Sequence, residues 1–417
     1  MQIILLDEIR FDNFAINHPC YNFYQSSNYG KFMTKHGYNS YYLGLADDNG
    51  EIKAATLMIV KNDSKERRKM GYAPRGFLID WNNYELVKEF TEKLKEFLAS
   101  RSFTYLKVDP LIILKEHNIN GEIKQNTVDN TSFVNKLQSL GYIHMGYNNG
   151  MEALKPRWSA VMNLNSNITL LYNSISKDAR NKINEASKMG NKVYKGSMND
   201  INLLYNIINK ATPPLEYYLD YYQFFSQNNG FEIYFTKLEP VSYVNSSKTL
   251  YENEEQKNNE LNMQIQDFNT PNKDLIINEK LKSDELLSKY KRNMLEASSL
   301  FQKYPSGLVI SGVAVIKYGK KITFLASGVH ENFKNIYPEY LLKWQLASEF
   351  AKKGYELVDL GSLTGDFNNN NYLSSLNKEL SNSIIEYVGE FDLVINKKSY
   401  YTGNKLNPIL NWLNTPI

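Results

Sequence analysis

The 417-residue chain has a single cysteine, Cys20, and five histidines. One cysteine excludes an internal disulfide framework and a cysteine-based zinc cluster. The histidines (His18, His36, His117, His144, His330) form no pair at i, i+3 or i, i+4 and no His-Glu-x-x-His, so no metal site is expected. No Gly-x-Ser-x-Gly elbow occurs, and Gly361-Ser362-Leu363-Thr364-Gly365 lacks the Gly-Lys-Ser/Thr of a phosphate loop. No cofactor is expected. Charge of one sign is missing too: 48 basic against 45 acidic residues leave +3, so nucleic acid would have to bind through a local patch. No apolar run approaches the roughly 20 residues of a membrane span. Asp7 and Glu8 interrupt the only N-terminal apolar stretch, and the expected location is cytoplasmic.

What is present is the composition of a globular protein, 42% hydrophobic and 22% charged, in a chain long enough for two or three domains. Apolar spacing predicts a helix over 338–352 that Gly354 closes. A short strand follows, Leu357–Leu360, with Asp359 near its end and a glycine-bearing loop after it. The same order occurs earlier. A helix over 84–100, with Leu86, Val87, Phe90, Leu94, Phe97 and Leu98 on one face, leads to a strand, Tyr105–Val108, that stops at Asp109-Pro110. Each helix is preceded by hairpin-like strand pairs, at 41–60 around Asp47-Asp48-Asn49-Gly50 and at 307–329. The fold expected is α/β, with two mixed domains of one design. A further helix is expected over 170–189. Residues 239–303 are polar and free of glycine, and Leu287, Tyr290, Met294, Ala297 and Phe301 keep 3-4 spacing. Two antiparallel helices, each about 30 Å or more at 1.5 Å per residue, are expected there as a protruding arm.

Carboxylates at strand ends, Asp80, Asp109 and Asp359, either cap a turn or orient and deprotonate an amine. Arg75, between Pro74 and Gly76, either pairs structurally or grips a carboxylate or phosphate with its planar fork. The basic run Lys65–Lys69 reads as a solvated loop. Arg180 and Lys182 lie on a cationic helix that is either a solvated face or, beside the aromatic stretch 217–225, a phosphate site.

Tyr24-Gln25-Ser26-Ser27-Asn28-Tyr29-Gly30 with Lys35 and Gly37, Tyr72-Ala73-Pro74-Arg75-Gly76 with Asp80, Lys107-Val108-Asp109-Pro110, and Pro156-Arg157-Trp158 occur in this order. With the segments after them they resemble the Fem/MurM-type (FemABX) peptidyltransferases. Arg180-Asn181-Lys182-Ile183 with Ala186 and Gly190 continues the match, as do Thr212 with Tyr221-Tyr222 and Tyr340-Leu341-Leu342-Lys343-Trp344. Asp359-Leu360-Gly361 with Gly365-Asp366-Phe367 and Glu386 to Asp392 close it. The resemblance implies two acetyltransferase-like (GNAT) domains with a coiled-coil helical arm in the second. The expected division is 1–155 for the first domain, 156–238 with 304–400 for the second, 239–303 for the arm and 401–417 for a tail. It implies transfer of an amino acid from aminoacyl-tRNA to the stem-peptide amine of lipid II or UDP-MurNAc-pentapeptide, building the interpeptide bridge. Peripheral contact with the inner face of the membrane and homologous transferases are the other partners implied.

By the same resemblance Asp109 binds the amine or takes its proton, and Asp109→Asn is expected to leave the fold intact while cutting transfer. Lys35, Arg75 and Tyr221 hold the muramyl peptide and its phosphates, Asp359 belongs to one wall of the cleft, and Lys378 meets an oxyanion or phosphate. Two departures stand out. Leu376-Asn377-Lys378 replaces the family's Phe-Lys, and the segment 212–220 contains no arginine. Each alters specificity, weakens catalysis, or leaves a phosphate contact to Arg180 or Lys182. Two rivals remain: a precursor-binding member without transfer, and an acyl-CoA-dependent N-acyltransferase, for which no pyrophosphate-binding glycine turn is found.

Overall fold

A computed structural model describes residues 1–61, 69–125, 127–150, 153–208, 213–267, 271–368 and 371–403. The basic run at 65–68, Thr212 and most of the expected tail lie outside these. The first part of the chain forms β1 (Gln2–Leu5), α1 (Glu8–Asn17), α2 (Ser27–Lys35), β2 (Tyr38–Ala46), β3 (Ile52–Lys61), β4 (Lys69–Ala73), α3 (Tyr84–Ala99), β5 (Phe103–Val108), β6 (Ile113–His117), α4 (Thr131–Ser139) and β7 (Tyr142–His144). Next come β8 (Trp158–Asn163), α5 (Ile168–Ser174), α6 (Lys177–Lys188), β9 (Asn191–Lys195), α7 (Ile201–Ile207), α8 (Leu215–Phe225) and β10 (Phe231–Leu238). Two long helices follow, α9 (Pro240–Gln266) and α10 (Lys273–Lys303). The chain then forms β11 (Leu308–Tyr318), β12 (Lys321–Val329), α11 (Pro338–Lys352), β13 (Leu357–Leu363), α12 (Tyr372–Leu380), β14 (Ser383–Tyr387), β15 (Phe391–Val394) and α13 (Lys397–Gly403).

The strands make two mixed sheets, ordered β1-β2-β3-β4-β5-β15-β7 and β6-β14-β8-β13-β12-β11-β10-β9. Each contains one parallel step, β4 with β5 and β12 with β13, and both follow a helix, α3 or α11. Those parallel steps are the repeated helix-to-strand pattern of the sequence. Two strands cross the expected division at 155 and 156. β6, from the early part of the chain, pairs with β14 in the second sheet, and the late β15 pairs with β5 and β7 in the first.

Alternation along β3 shows how the layers arise. Ala55, Leu57 and Ile59 enter a middle core, whereas Ala54, Met58 and Val60 face the layer under α3 and α4. The second sheet's β10 and β11 send Phe231, Ile233, Phe235, Ala314 and Ile316 into the same middle core, where α2 and α8 also pack. Its other face packs Met162, Val313, Phe324 and Leu360 against α6, α11 and α12. The sheets are thus joined by one continuous aromatic-rich core.

The single helix expected over 170–189 is two. Ser176 caps α6 by accepting from the Ala179 N–H at 3.0 Å, and the chain turns at Ile175 to present it. Helices α9 and α10 run antiparallel, since Asn258 meets Ser283 and Lys257 meets Glu279 while Glu254 accepts from Ser283. The expected apolar seam holds at Ala297, which is fully buried, but Phe301 is exposed and Leu300 packs inward instead. Midway along, the seam is polar, Asn258–Ser283–Glu254, a stretch that apolar spacing alone does not reveal.

Candidate active site

Three connections between the sheets converge on one place: the turn after β5, the segment entering β8, and the link from β14 to β15. Arg75, just past β4, stands at their junction. Its φ of 52° puts a non-glycine residue in the left-handed region, and two contacts hold it there. Its N–H donates to Asp109 Oδ1 at 2.7 Å, and Asn22 Nδ2 donates to its carbonyl at 3.2 Å. The guanidinium Nε lies 3.6 Å from Asp109 Oδ2, Nη2 donates to the Pro156 carbonyl at 3.0 Å, and the Tyr387 ring centre is 5.3 Å away. Burial opposes the Arg75 charge; Asp109 together with Tyr387, Tyr72 and Tyr24 more than offsets this, and the guanidinium stays charged. Asp109 itself is 1% exposed. Burial pushes its carboxyl above the usual range, against the pull of Arg75, Lys155 and the Tyr72 hydroxyl.

Beside them lies Lys155, also buried, with its Nζ 3.9 Å from the centre of the Tyr24 ring. Desolvation, aided by the nearby Arg75 charge and opposed by Asp109, lowers its pKa to about 7. Between about 7 and the ordinary 10.5 the unfolded chain holds a proton that the folded chain does not, so folding stability climbs with pH across that window. Below it both states are protonated and the cost is constant. Lys155→Met should remove that climb and be the more stable protein at pH 7, by an amount on the order of a few kcal/mol. Urea midpoints of parent and variant at pH 6.5 and 9.5 check this; parallel changes in both would rule it out.

A cleft of about 330 Å3 opens in front of this junction, lined by Tyr24, Arg75, Ser159, Phe324, Asp359 and Tyr387 among others. Asp359 Oδ1 accepts from Ser159 Oγ at 2.6 Å and from the Gly361 N–H at 3.0 Å. Burial raises its carboxyl against those two donors and the more distant Arg75. Gly361 has φ 126°, which favours glycine, and a bulge in the β13–β8 ladder at this point turns the loop. The cleft therefore offers one buried guanidinium on the first-sheet side and one hydrogen-bonded carboxylate on the second. Between them the arrangement can hold an anionic group and an amine.

The structure brings Arg75, Asp109 and Asp359 together. Asp109 is not among the residues lining the cleft; it stands behind Arg75 and fixes it. The other expected contacts lie elsewhere. Asp80 accepts from the Asn82 N–H and shapes a turn. Lys35 pairs with Asp220 and donates to Gln223 at 2.9 Å, tying α2 to α8. Tyr221 is a core residue, its ring 4.2 Å from that of Phe32. Arg180 donates to the carbonyls of Asn173 and Ile175 and closes α5. Lys182 is bound by Glu379 at 2.7 Å and Tyr340 at 3.1 Å, and Lys378 donates to the Phe367 carbonyl at 3.1 Å. Lys35, Arg180, Lys182 and Lys378 thus each have a hydrogen-bonding protein partner, whereas Tyr221 is held by ring packing. Lys155, Ser159 and Tyr387 were missed as site residues, although a lysine three positions ahead of a buried strand is a detectable signal.

The chain is mixed α/β, with two joined sheets and a cleft at their crossing. The FemAB family model matches residues 6–407, and the chain belongs to that family. It is 25% identical to an aminoacyltransferase FemA of Staphylococcus epidermidis, over 96% of this chain and 97% of that one. It is 23% identical to a lipid II:glycine glycyltransferase of the same organism, over 96% and 94%. A crystal structure of FemX superposes with a TM-score of 0.73 at 18% identity, covering 97% of this chain and all of the other, and so shares the fold.

Proposed function

We propose that this chain is a transferase that builds the interpeptide bridge of peptidoglycan, adding an amino acid from aminoacyl-tRNA to the side-chain amine of a stem peptide. The acceptor is lipid II or UDP-MurNAc-pentapeptide. The observation that carries the reading is family membership over nearly the whole chain, coupled to a cleft with Arg75 and Asp359 facing each other across the two sheets. In this reading each sheet with its helices is a GNAT-like domain and α9 with α10 is a coiled-coil arm. A lipid-linked acceptor would draw the protein to the inner face of the membrane, alongside homologous transferases.

The chemistry is aminolysis of an ester. The acceptor nitrogen loses a proton, forms a bond to the acyl carbon, and the carbon–oxygen bond to the tRNA ribose breaks, with the proton passing to the leaving oxygen. Positioning supplies much of the rate, since orienting two bound reactants is worth about 7–11 kcal/mol. Arg75 holds an anionic part of the acceptor, Asp109 keeps Arg75 in place, and Asp359 meets the amine. Purified protein incubated with charged tRNAs and each acceptor should give a product heavier by one aminoacyl residue. No mass increase with any pairing would favour a binder without transfer, and labelling by acetyl-CoA would favour an N-acyltransferase.

For the tRNA, α10 is the better contact: residues 278–303 carry six basic and four acidic residues, against one lysine and five acids over 250–268. Removing 248–303 should weaken tRNA binding and flatten its salt dependence. An unchanged Kd would assign the hairpin to a protein partner.

A further inference from the structure

Further along β12, a separate pocket of about 260 Å3 opens between the end of that strand, the end of α7 and the start of α12. Ser327, Gly328, Lys334, Asn371 and Tyr372 line it, with Ile207 and Ile208 forming an apolar wall. Glu339, in the first turn of α11, lies beneath it and is 0% exposed. Three of the groups that surround its carboxylate, Ser327, Lys334 and Tyr372, are also lining residues of the pocket, and Lys343 is the fourth neighbour. Yet neither carboxylate oxygen has a hydrogen-bond partner among the described residues. The Ser327 and Tyr372 hydroxyls are close enough to favour the anion without meeting hydrogen-bond geometry. A buried, unpaired carboxylate costs several kcal/mol unless something else meets it. Burial accordingly pushes Glu339 above the usual carboxyl range.

The nearby lysines do not meet that need. Lys334 pairs with Glu331 at 2.6 Å and stands 5.1 Å from the Tyr372 ring centre. Lys343 donates to Asn377 Oδ1 at 2.9 Å and not to Glu339, and its own burial lowers its pKa to about 8. The pocket is adjacent to the cleft in the fold: it lies along β12, whose Thr323 and Phe324 line the cleft, and past the point where β12 stops pairing with β13.

We propose that this pocket receives the amino acid being transferred, and that Glu339 pairs with its free α-ammonium group. The inference rests on the reading above that the donor is an aminoacyl ester, and it names what distinguishes such a donor from a neutral acyl group. An ammonium would supply the donors that both carboxylate oxygens lack, while the apolar wall at Ile207 and Ile208 accepts a small side chain. Glu339 acts in donor recognition; nothing in its position calls for it to exchange a proton with the attacking amine.

The test uses the full chain and 3′-aminoacylamino-3′-deoxyadenosines carrying glycine, alanine or serine, each with and without an N-acetyl group, measured by calorimetry. The parent should bind at least one free-ammonium form about 10- to 100-fold more tightly than its acetylated form, the range lost with a charge-assisted hydrogen bond. Glu339→Gln should lose that preference while its Tm stays equal or rises, since the substitution removes an unpaired buried charge. Equal binding of free and acetylated forms by the parent, no binding of either, or a preference that survives in Glu339→Gln would overturn the inference. Transfer from charged tRNA, assayed in parallel, judges the proposed reaction by itself. Transfer without ammonium preference removes only the pocket assignment, and ammonium-selective binding without transfer removes only the reaction.

Discussion

Lys107→Met should lower folding stability by about 3–5 kcal/mol at pH 7, the cost of breaking a buried ion pair and stranding its partners. The Lys107 ammonium, on β5, is held between Glu390 at 3.3 Å and Asp392 at 2.8 Å, with all three side chains nearly fully buried. Asp392 also accepts from the Tyr400 hydroxyl at 2.8 Å, and Glu390 from the Leu154 N–H at 2.6 Å. Removing the lysine leaves two carboxylates side by side in a dry place. The pH dependence follows from the direction of each shift. Lys107 is raised above its ordinary 10.5 by the two carboxylates, against its burial, so its contribution is complete at neutral pH and fades only in strong alkali. Burial already raises the Glu390 carboxyl against the pull of Lys107, so in the variant folded Glu390 binds a proton more readily than unfolded, and stability recovers as the pH falls toward 5. Denaturant midpoints at pH 5 and 7 test this; a deficit that does not shrink on acidification would show that packing, not charge, is responsible.

The second large effect concerns Asp109. From sequence, Asp109→Asn is expected to spare the fold and cut transfer. Burial changes the first half of that expectation. The carboxylate is the counter-charge of a nearly buried Arg75 and accepts its N–H, so the amide should cost about 3 kcal/mol of stability as well. Transfer should fall about 100-fold, the scale of an ångström of misplacement at a reacting centre. A double variant, Arg75→Leu with Asp109→Asn, separates the two effects. It should regain most of the stability and none of the transfer. Recovery of turnover in the double variant would mean that neither residue positions the substrate.

How much of this was readable beforehand varied with the kind of signal. The hairpin around Asp47–Gly50 and the run from α11 into β13 were legible, because turn chemistry and apolar period act locally. The division of α5 from α6 was not, because one serine at 176 outweighed a continuous helical pattern. The placement of β6 and β15 was not either. Strands of five and four residues carry too few side chains to name their neighbours, and pairing partners nearly three hundred positions apart leave no local trace. At the site, Asp109 and Asp359 were found as carboxylates expected at strand ends, although Asp359 lies inside β13, and Arg75 was found by its place between Pro74 and Gly76. Lys155 and Glu339 were missed because their significance lies in being buried without a close counter-charge, which only the packed structure discloses.

The exchange of β6 and β15 between the sheets has a consequence for how the protein is made. Lys107 and Glu390 are separated by 283 positions. At about 5–20 residues per second, the ribosome delivers the partner of β5 roughly 15–60 s after β5 itself. During that interval the first sheet has an open edge and an unneutralised lysine in its future interior, and neither half of the chain can close without the other. The nascent chain must therefore be shielded as a whole, and the two halves would not be expected to survive as separately synthesised fragments.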